Sequence, residues 1–176
     1  MVFTNFYGGI LVRYRIGDVF EMVADRDEEI DSNIPQFMFY SRKTDVIDLG
    51  TILRITERDV WQAVEDSGVK YVDWVVRKEI VDEQPTLHLF IERRDGNSLN
   101  AETARLIVRE KLLNSLSEYR DYEEIIGYDP LILSWLETGS FSNYMAAQVE
   151  AGADMAHIKP PHMQPTDKIM TKLKTG

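Results

Sequence analysis

The chain contains no cysteine, which excludes disulfides, thiolate metal ligands and a thiol nucleophile, and fits a reducing compartment. It also has no run of about 18 consecutive apolar residues and no basic start leading into an apolar segment with a small-residue cleavage site. We therefore expect a cytoplasmic protein that neither spans a membrane nor is secreted. Positive charge is scarce, with 20 Lys and Arg against 30 Asp and Glu and a formal net charge of −10. That balance excludes broad affinity for nucleic acid, and any anionic ligand would be held by local cations against the overall field. No glycine-rich phosphate loop ending in Lys-Ser/Thr occurs, and the Gly8-Gly9 pair is too little to supply one. There are no internal repeats, and no low-complexity stretch beyond the proline-containing run 159–165. The histidines, His88, His157 and His162, include no closely spaced pair on one helix, so no metal site is expected. His88 alternates within an expected strand and is read as facing solvent.

What is present is an ordinary globular composition. The apolar fraction is 44% of 176 residues, enough for one core with or without a small appendage. The pattern changes near residue 45. Before it, 9–13, 17–23 and 36–40 read as short strands separated by glycine turns, and the charged run 25–31 reads as a solvated loop. Three strands of this kind leave apolar edges uncovered.

After residue 45 the pattern is that of a small α+β domain. Thr56 followed by early acids predicts a helix start, and Gly68 predicts its left-handed end after Ser67. Val60, Trp61 and Val64 are assigned to its buried face. Residues 69–81 alternate as a strand, and a turn at 82–85 leads into a second strand over 86–92, making a hairpin. Asn100 caps a long helix carrying Ala104, Ile107, Val108, Leu112 and Leu116 at helical spacing. A short helical turn at 119–126 precedes an apolar strand at 130–136. The order helix, strand, strand, helix, strand predicts a small mixed or antiparallel sheet with helices on one face. Trp61, Trp74 and Trp135 are read as core packing rather than stacking platforms.

Three groups of residues occur in a recognisable order. RYRIGD at 13–18 is an arginine-rich turn ending in Gly-Asp. PQFMFYSRKTD at 35–45 is an aromatic strand ending in Arg-Lys-Thr-Asp. GSFSNYMAAQVEAGADMAHIKPP at 139–161 has a Gly-Ser-Phe turn, a Gly-Ala step and a Lys-Pro pair. In this order they resemble the acyl-adenylate-forming superfamily, and most closely the Gretchen Hagen (auxin-responsive) type acyl-acid amido synthetases. The phenylacetate–CoA ligases are also similar.

The resemblance implies that residues 1–45 are the tail of a large adenylating domain, a few strands left over from its barrel, and that residues 46–176 are the small C-terminal α+β domain. The whole enzyme would use ATP and Mg²⁺ to convert a carboxylic acid to an acyl adenylate, then pass the acyl group to an amine. Transfer to coenzyme A is the enzymatic alternative, and a stand-alone, non-catalytic interaction domain is the alternative of another class. An N-terminal adenylating domain, expected upstream, would be the principal partner, and the fragment alone is expected to be inactive.

The resemblance also assigns residues. Asp18 would accept hydrogen bonds from the ribose hydroxyls of ATP, against the plainer reading that Gly17-Asp18 closes a hairpin. Arg42 would approach ribose and phosphates, where a planar guanidinium serves two oxygens. Arg13 and Arg15 share one strand face and are read equally as surface ion-pair partners. Asp45 falls at the interdomain hinge, although Thr44 stands where many members carry a second acid. Lys159 is the candidate catalytic cation and Lys168 the alternative. An ammonium on a flexible stem can follow charge developing at the α-phosphate. Lys168, with Lys172 and Lys174, also reads as part of a solvated helix.

Overall fold

The computed structural model describes residues 2–7, 10–15, 17–42, 45–154 and 158–175, and of Phe3, Leu11, Ser41 and Arg42 the backbone alone. Gly8-Gly9, Thr44 and His157, singled out above, lie outside the described residues. Contacts divide the chain into two units, Met1–Val46 and Ile47–Gly176.

The first unit is two antiparallel ribbons. Strand β1 (Val2–Asn5) pairs with β2 (Leu11–Arg15), and β3 (Asp18–Ala24) pairs with β4 (Gln36–Arg42). The sequence suggested three strands here; β1 is the one missed, because four residues carry too short an alternation to stand out. The β1–β2 ladder slips between Phe3 and Asn5. Opposite this slip, Arg13 takes φ 51° and its N–H donates to Thr4 Oγ1 at 3.1 Å, the local distortion of a bulge. The charged run between β3 and β4 is a solvated turn held by an Arg26–Asp31 ion pair at 2.7 Å. Among the described residues no buried apolar side chain precedes Ile47, and Tyr7 is 93% exposed.

The second unit holds the core. A hairpin of β5 (Val46–Leu49) and β6 (Leu53–Thr56) leads into α1 (Glu57–Ser67). Next come the long strands β7 (Tyr71–Val81) and β8 (Gln84–Arg93), α2 (Ala101–Ser115), α3 (Ser117–Ile126) and β9 (Leu131–Leu136). Helices α4 (Ser140–Glu150) and α5 (Asp167–Thr175) finish the chain. β7 and β8 are antiparallel, joined by Asp82 and Glu83 at φ 50° and 65°, a two-residue turn matched to strand twist. β9 pairs parallel to β8 after the α2–α3 crossover, so the sheet is mixed, in the order β7-β8-β9. The fold is α+β, a small mixed sheet flanked by helices.

Both faces of this sheet are covered, and here the expectation of helices on one face is corrected. Trp74, Val76, Leu87, Leu89, Ile91, Leu131 and Leu133 join α1, α2 and α3 in the larger core. The opposite parity, Val75, Phe90 and Leu136, packs with Phe141 and Tyr144 of α4 and Met170 and Leu173 of α5. On β8 the polar Thr86, His88 and Glu92 alternate with Leu87, Leu89 and Ile91, so the pattern reads as one buried and one solvated face and did not reveal the second layer.

The second layer also corrects the reading of His88. Its ring is half-buried, stacked on Phe90 with centroids 3.9 Å apart, and bonded to Glu79 and Ser134 rather than facing water. Trp61 is corrected too: it is exposed, while Val60, Ala63 and Val64 form the buried stripe of α1. Position 61 lies about 100° around the helix from position 60, off that stripe. Trp74 and Trp135 do pack with the core. No helix among the described residues is long and apolar enough to cross a membrane.

Candidate functional site

The residues expected to meet a nucleotide lie in the first unit. Gly17, at φ 86°, precedes Asp18, the first residue of β3. The Cα partner of Asp18 in the β3–β4 ladder is Arg42, the last residue of β4. Register therefore brings two residues 24 positions apart, by their numbers, directly opposite one another. The Gly17-Asp18 step leads from β2, which pairs with β1, into β3, which pairs with β4, so it is not the turn of a hairpin. Asp45 is a bend residue immediately before Val46, where the first unit ends.

The candidate lysines lie in the second unit, in different settings. Lys168 is exposed in the first turn of α5, where the helix dipole disfavours a cation; Lys172 and Lys174 occupy the last turn, where it favours them. Lys159 belongs to the run that crosses from α4 to α5 over the free edge of β7. Val76 N donates to His162 O at 2.7 Å, and Gln164 N donates to Val76 O at 2.9 Å. Met163 and Val76 form a parallel bridge, and Lys78 N donates to Gln164 Oε1 at 3.2 Å. These bonds use polar groups that the edge strand would otherwise leave to solvent.

Around this run gathers a cluster of ionisable groups. Helix α1 begins with a reciprocal cap: Thr56 Oγ1 accepts from Asp59 N at 3.3 Å, and Asp59 Oδ2 accepts from Thr56 N at 2.8 Å. Glu57 is thus the first helical residue, where a carboxylate is favoured by the unpaired N–H groups of the helix end. Its Oε1 accepts from His162 Nδ1 at 2.6 Å and lies 3.5 Å from Lys159 Nζ. On the other side of the ring, Asp73 Oδ1 accepts from His162 Nε2 at 2.9 Å. Below it, the Trp74 indole stacks on the imidazole with centroids 4.5 Å apart.

Burial of the His162 ring works against its charge. The hydrogen bonds and negative charges of Asp73 and Glu57 outweigh that cost and hold the imidazole above its ordinary value of 6.5. Burial likewise opposes ionisation of Glu57, and His162, helped by Lys159, reverses the balance so that its carboxyl lies below the usual 4.5. The Lys159 side chain is 73% exposed, so its contact with Glu57 is a weak surface pair.

Chemically, the second unit offers an ammonium on a free stem beside a structured acid–imidazole–acid bridge. With both ring nitrogens committed, His162 is not available as a general base. Sequence reasoning named Lys159 but missed Glu57, Asp73 and His162. The His162 contacts span 105 and 89 residues along the chain, so no local spacing announces them. Among the described residues no group of three or more His, Asp or Glu could hold a metal ion.

Residues 56–168 match the model described as the GH3 family C-terminal domain. A search of curated proteins finds no match. Among solved structures, the chain is similar to a GH3.15 acyl acid amido synthetase, with a TM-score of 0.66 and 18% identity over 96% of this chain and 32% of that one. It is also similar to an AtGH3.15 acyl acid amido synthetase in complex with 2,4-DB, with a TM-score of 0.62 and 18% identity, covering 96% of this chain and 31% of that one. The chain spans about a third of the length of these solved relatives. At that identity the likeness is one of fold.

Proposed function

This chain belongs to the GH3 family as its C-terminal domain, and from that premise we propose that it is the C-terminal portion of an ATP-dependent acyl acid amido synthetase. The parent reaction joins a carboxylate to the α-phosphorus of ATP, giving acyl-AMP and pyrophosphate. An amine then displaces AMP from the acyl carbon, leaving an amide. The adenylating domain that supplies the acid pocket is the required partner.

The residues present suit parts of a nucleotide. The Asp18 carboxylate can accept from two vicinal hydroxyls, and Arg42, the residue assigned to ribose and phosphates, is its Cα partner in the β3–β4 ladder. Bound ATP supplies the activated phosphorus and the leaving group. Asp45, at the end of the first unit, is assigned the hinge between adenylation and acyl transfer. Lys159 is assigned the cation that meets charge developing on the phosphate oxygens, a role served by its exposed stem. The observation that carries this reading is the family match across 56–168, which contains the Lys159 run and its partner Glu57.

The test is acid-dependent exchange of labelled pyrophosphate into ATP by the longest native form of the protein. Lys159→Ala should lower the exchange rate by on the order of 10²-fold, the loss of one electrostatic contact to the transition state. Lys168→Ala should leave it nearly unchanged. Loss with Lys168→Ala alone would transfer the role to that residue, and no exchange with any carboxylic acid would sink the enzymatic reading.

A further inference from the structure

We propose that His162, held as an imidazolium between Glu57 and Asp73, is a positioning residue that clasps the 158–165 run to the β7 edge and leaves the Lys159 ammonium free to leave Glu57. The clasp stands on geometry alone; its consequence for Lys159 rests on the function proposed above.

Both ring nitrogens of His162 lie within hydrogen-bond reach of a carboxylate oxygen, at 2.6 Å to Glu57 and 2.9 Å to Asp73. A neutral imidazole has one N–H and one lone pair, so one of these contacts would set a lone pair against a carboxylate oxygen. The doubly protonated ring satisfies both. Among the described residues, the charged and titratable groups facing it are Glu57 from α1, Asp73 from β7 and, through Glu57, Lys159 from the run itself. The remaining wall is Trp74, which is buried, does not ionise and offers its π face to the ring. The backbone on either side is tied to β7 through His162 O and Gln164 N. The side-chain bridge and the backbone bridge therefore reinforce one another.

Lys159 and His162 compete for a single oxygen, Glu57 Oε1. The imidazolium holds it at 2.6 Å and neutralises most of its charge, and the ammonium is left at 3.5 Å. Loss of the imidazolium proton frees a full negative charge beside Lys159, which then pairs with Glu57, while one side of the clasp lets go. The raised ring value gives the sign. The clasp is complete below the ordinary histidine value of 6.5 and is lost as pH rises through the folded-state value.

The experiment is an NMR titration of the histidine rings in this chain, with amide hydrogen exchange at Val76 and Gln164 corrected for the intrinsic rate. His162→Gln identifies the resonance by removing it. We expect a His162 midpoint above 6.5, with protection of both amides falling through that midpoint and no such step in His162→Gln. Asp73→Asn, which keeps the ring, should lower the midpoint, and it serves if His162→Gln does not fold. A midpoint at or below 6.5, or protection that is flat through it, overturns the clasp.

In the longest native form, the alkaline limb of pyrophosphate exchange should follow the same midpoint and vanish in His162→Gln. A limb that persists unchanged in His162→Gln overturns the positioning role. A ring that titrates as stated, in a full-length protein that exchanges no pyrophosphate, upholds the clasp and removes only the enzymatic reading on which the Lys159 consequence rests.

Discussion

Glu92 of β8 caps the helix that begins beside Phe141: Glu92 Oε2 accepts from Phe141 N at 2.8 Å, and its other oxygen accepts from Gly139 N at 2.8 Å. Glu92 is 2% exposed, and α4 has no side-chain cap of its own, since its cap residue, Gly139, has no side chain and Ser140 Oγ donates to Glu137 O. A buried charge in a strand is thus matched to the positive end of a helix 47 residues away. Glu92→Ala leaves a buried N–H, that of Phe141, and a half-buried one, that of Gly139, unmet and should cost roughly 3–5 kcal/mol. Glu92→Gln keeps one acceptor but turns an NH₂ toward the second N–H, for a cost of about 1–3 kcal/mol. Urea unfolding of the two variants checks the order; a loss under about 1 kcal/mol for Glu92→Ala would mean that water takes over the cap.

His88 and His162 should depend on pH in opposite directions. His88 Nδ1 is 2.6 Å from Glu79 Oε2, while its Nε2 is 2.8 Å from Ser134 Oγ, a hydroxyl that can donate. A neutral ring satisfies both partners. Burial pushes the ring below 6.5, Glu79 opposes that shift in part, and Lys174 and Arg77 reinforce it. With the folded value depressed, the stability contributed by neutral His88 is full above 6.5 and is lost as pH falls through the folded value. The advantage of the wild type over His88→Gln in urea unfolding should therefore grow between about pH 5 and pH 8, whereas its advantage over His162→Gln should shrink. Parallel trends for the two variants would contradict the assigned ring charges.

Local chemistry was legible and long-range chemistry was not. Thr56 with Asp59, Asn100 with Thr103, and Gly68 at φ 68° with Glu65 mark helix ends through bonds that span three positions. Those ends could be read from the chain. The β7–β8 hairpin was legible for the same reason, although the turn is tighter than expected and Pro85 falls inside β8. Pro85 lies two residues short of Leu87, where β9 pairing starts, so its missing N–H costs no bond to β9.

The second face of the sheet failed because its residues look like a solvent face. Thr86, His88, Phe90 and Glu92 alternate with Leu87, Leu89 and Ile91, and polar residues in that pattern normally meet water. Here they meet Ser134, Gly139 and Phe141, residues far along the chain. The candidate site divides in the same way. Asp18, Arg42 and Lys159 were found only because they sit in short runs resembling a known family. Glu57 and Asp73 become part of the site only when the 158–165 run folds back onto β7.

Gly50 offers a test of how rigid the larger core is. It turns the chain between β5 and β6 at φ 65°, and a Cβ placed there would stand 3.3 Å from Cε2 of Tyr122, a buried ring of α3. Gly68 has nearly the same φ, 68°, but nothing within 4 Å of its Cβ position. Both alanine variants bear the left-handed backbone cost of about 1–2 kcal/mol, offset by roughly 0.4–1 kcal/mol of lost freedom in the unfolded chain. Gly50→Ala must in addition displace Tyr122 by a few tenths of an ångström within a packed interior. It should therefore be the more destabilising of the two by about 1 kcal/mol or more in urea unfolding, with changed ring resonances for Tyr122. Equal losses, with the Tyr122 signals unmoved, would show that the turn rather than the core absorbs the methyl group.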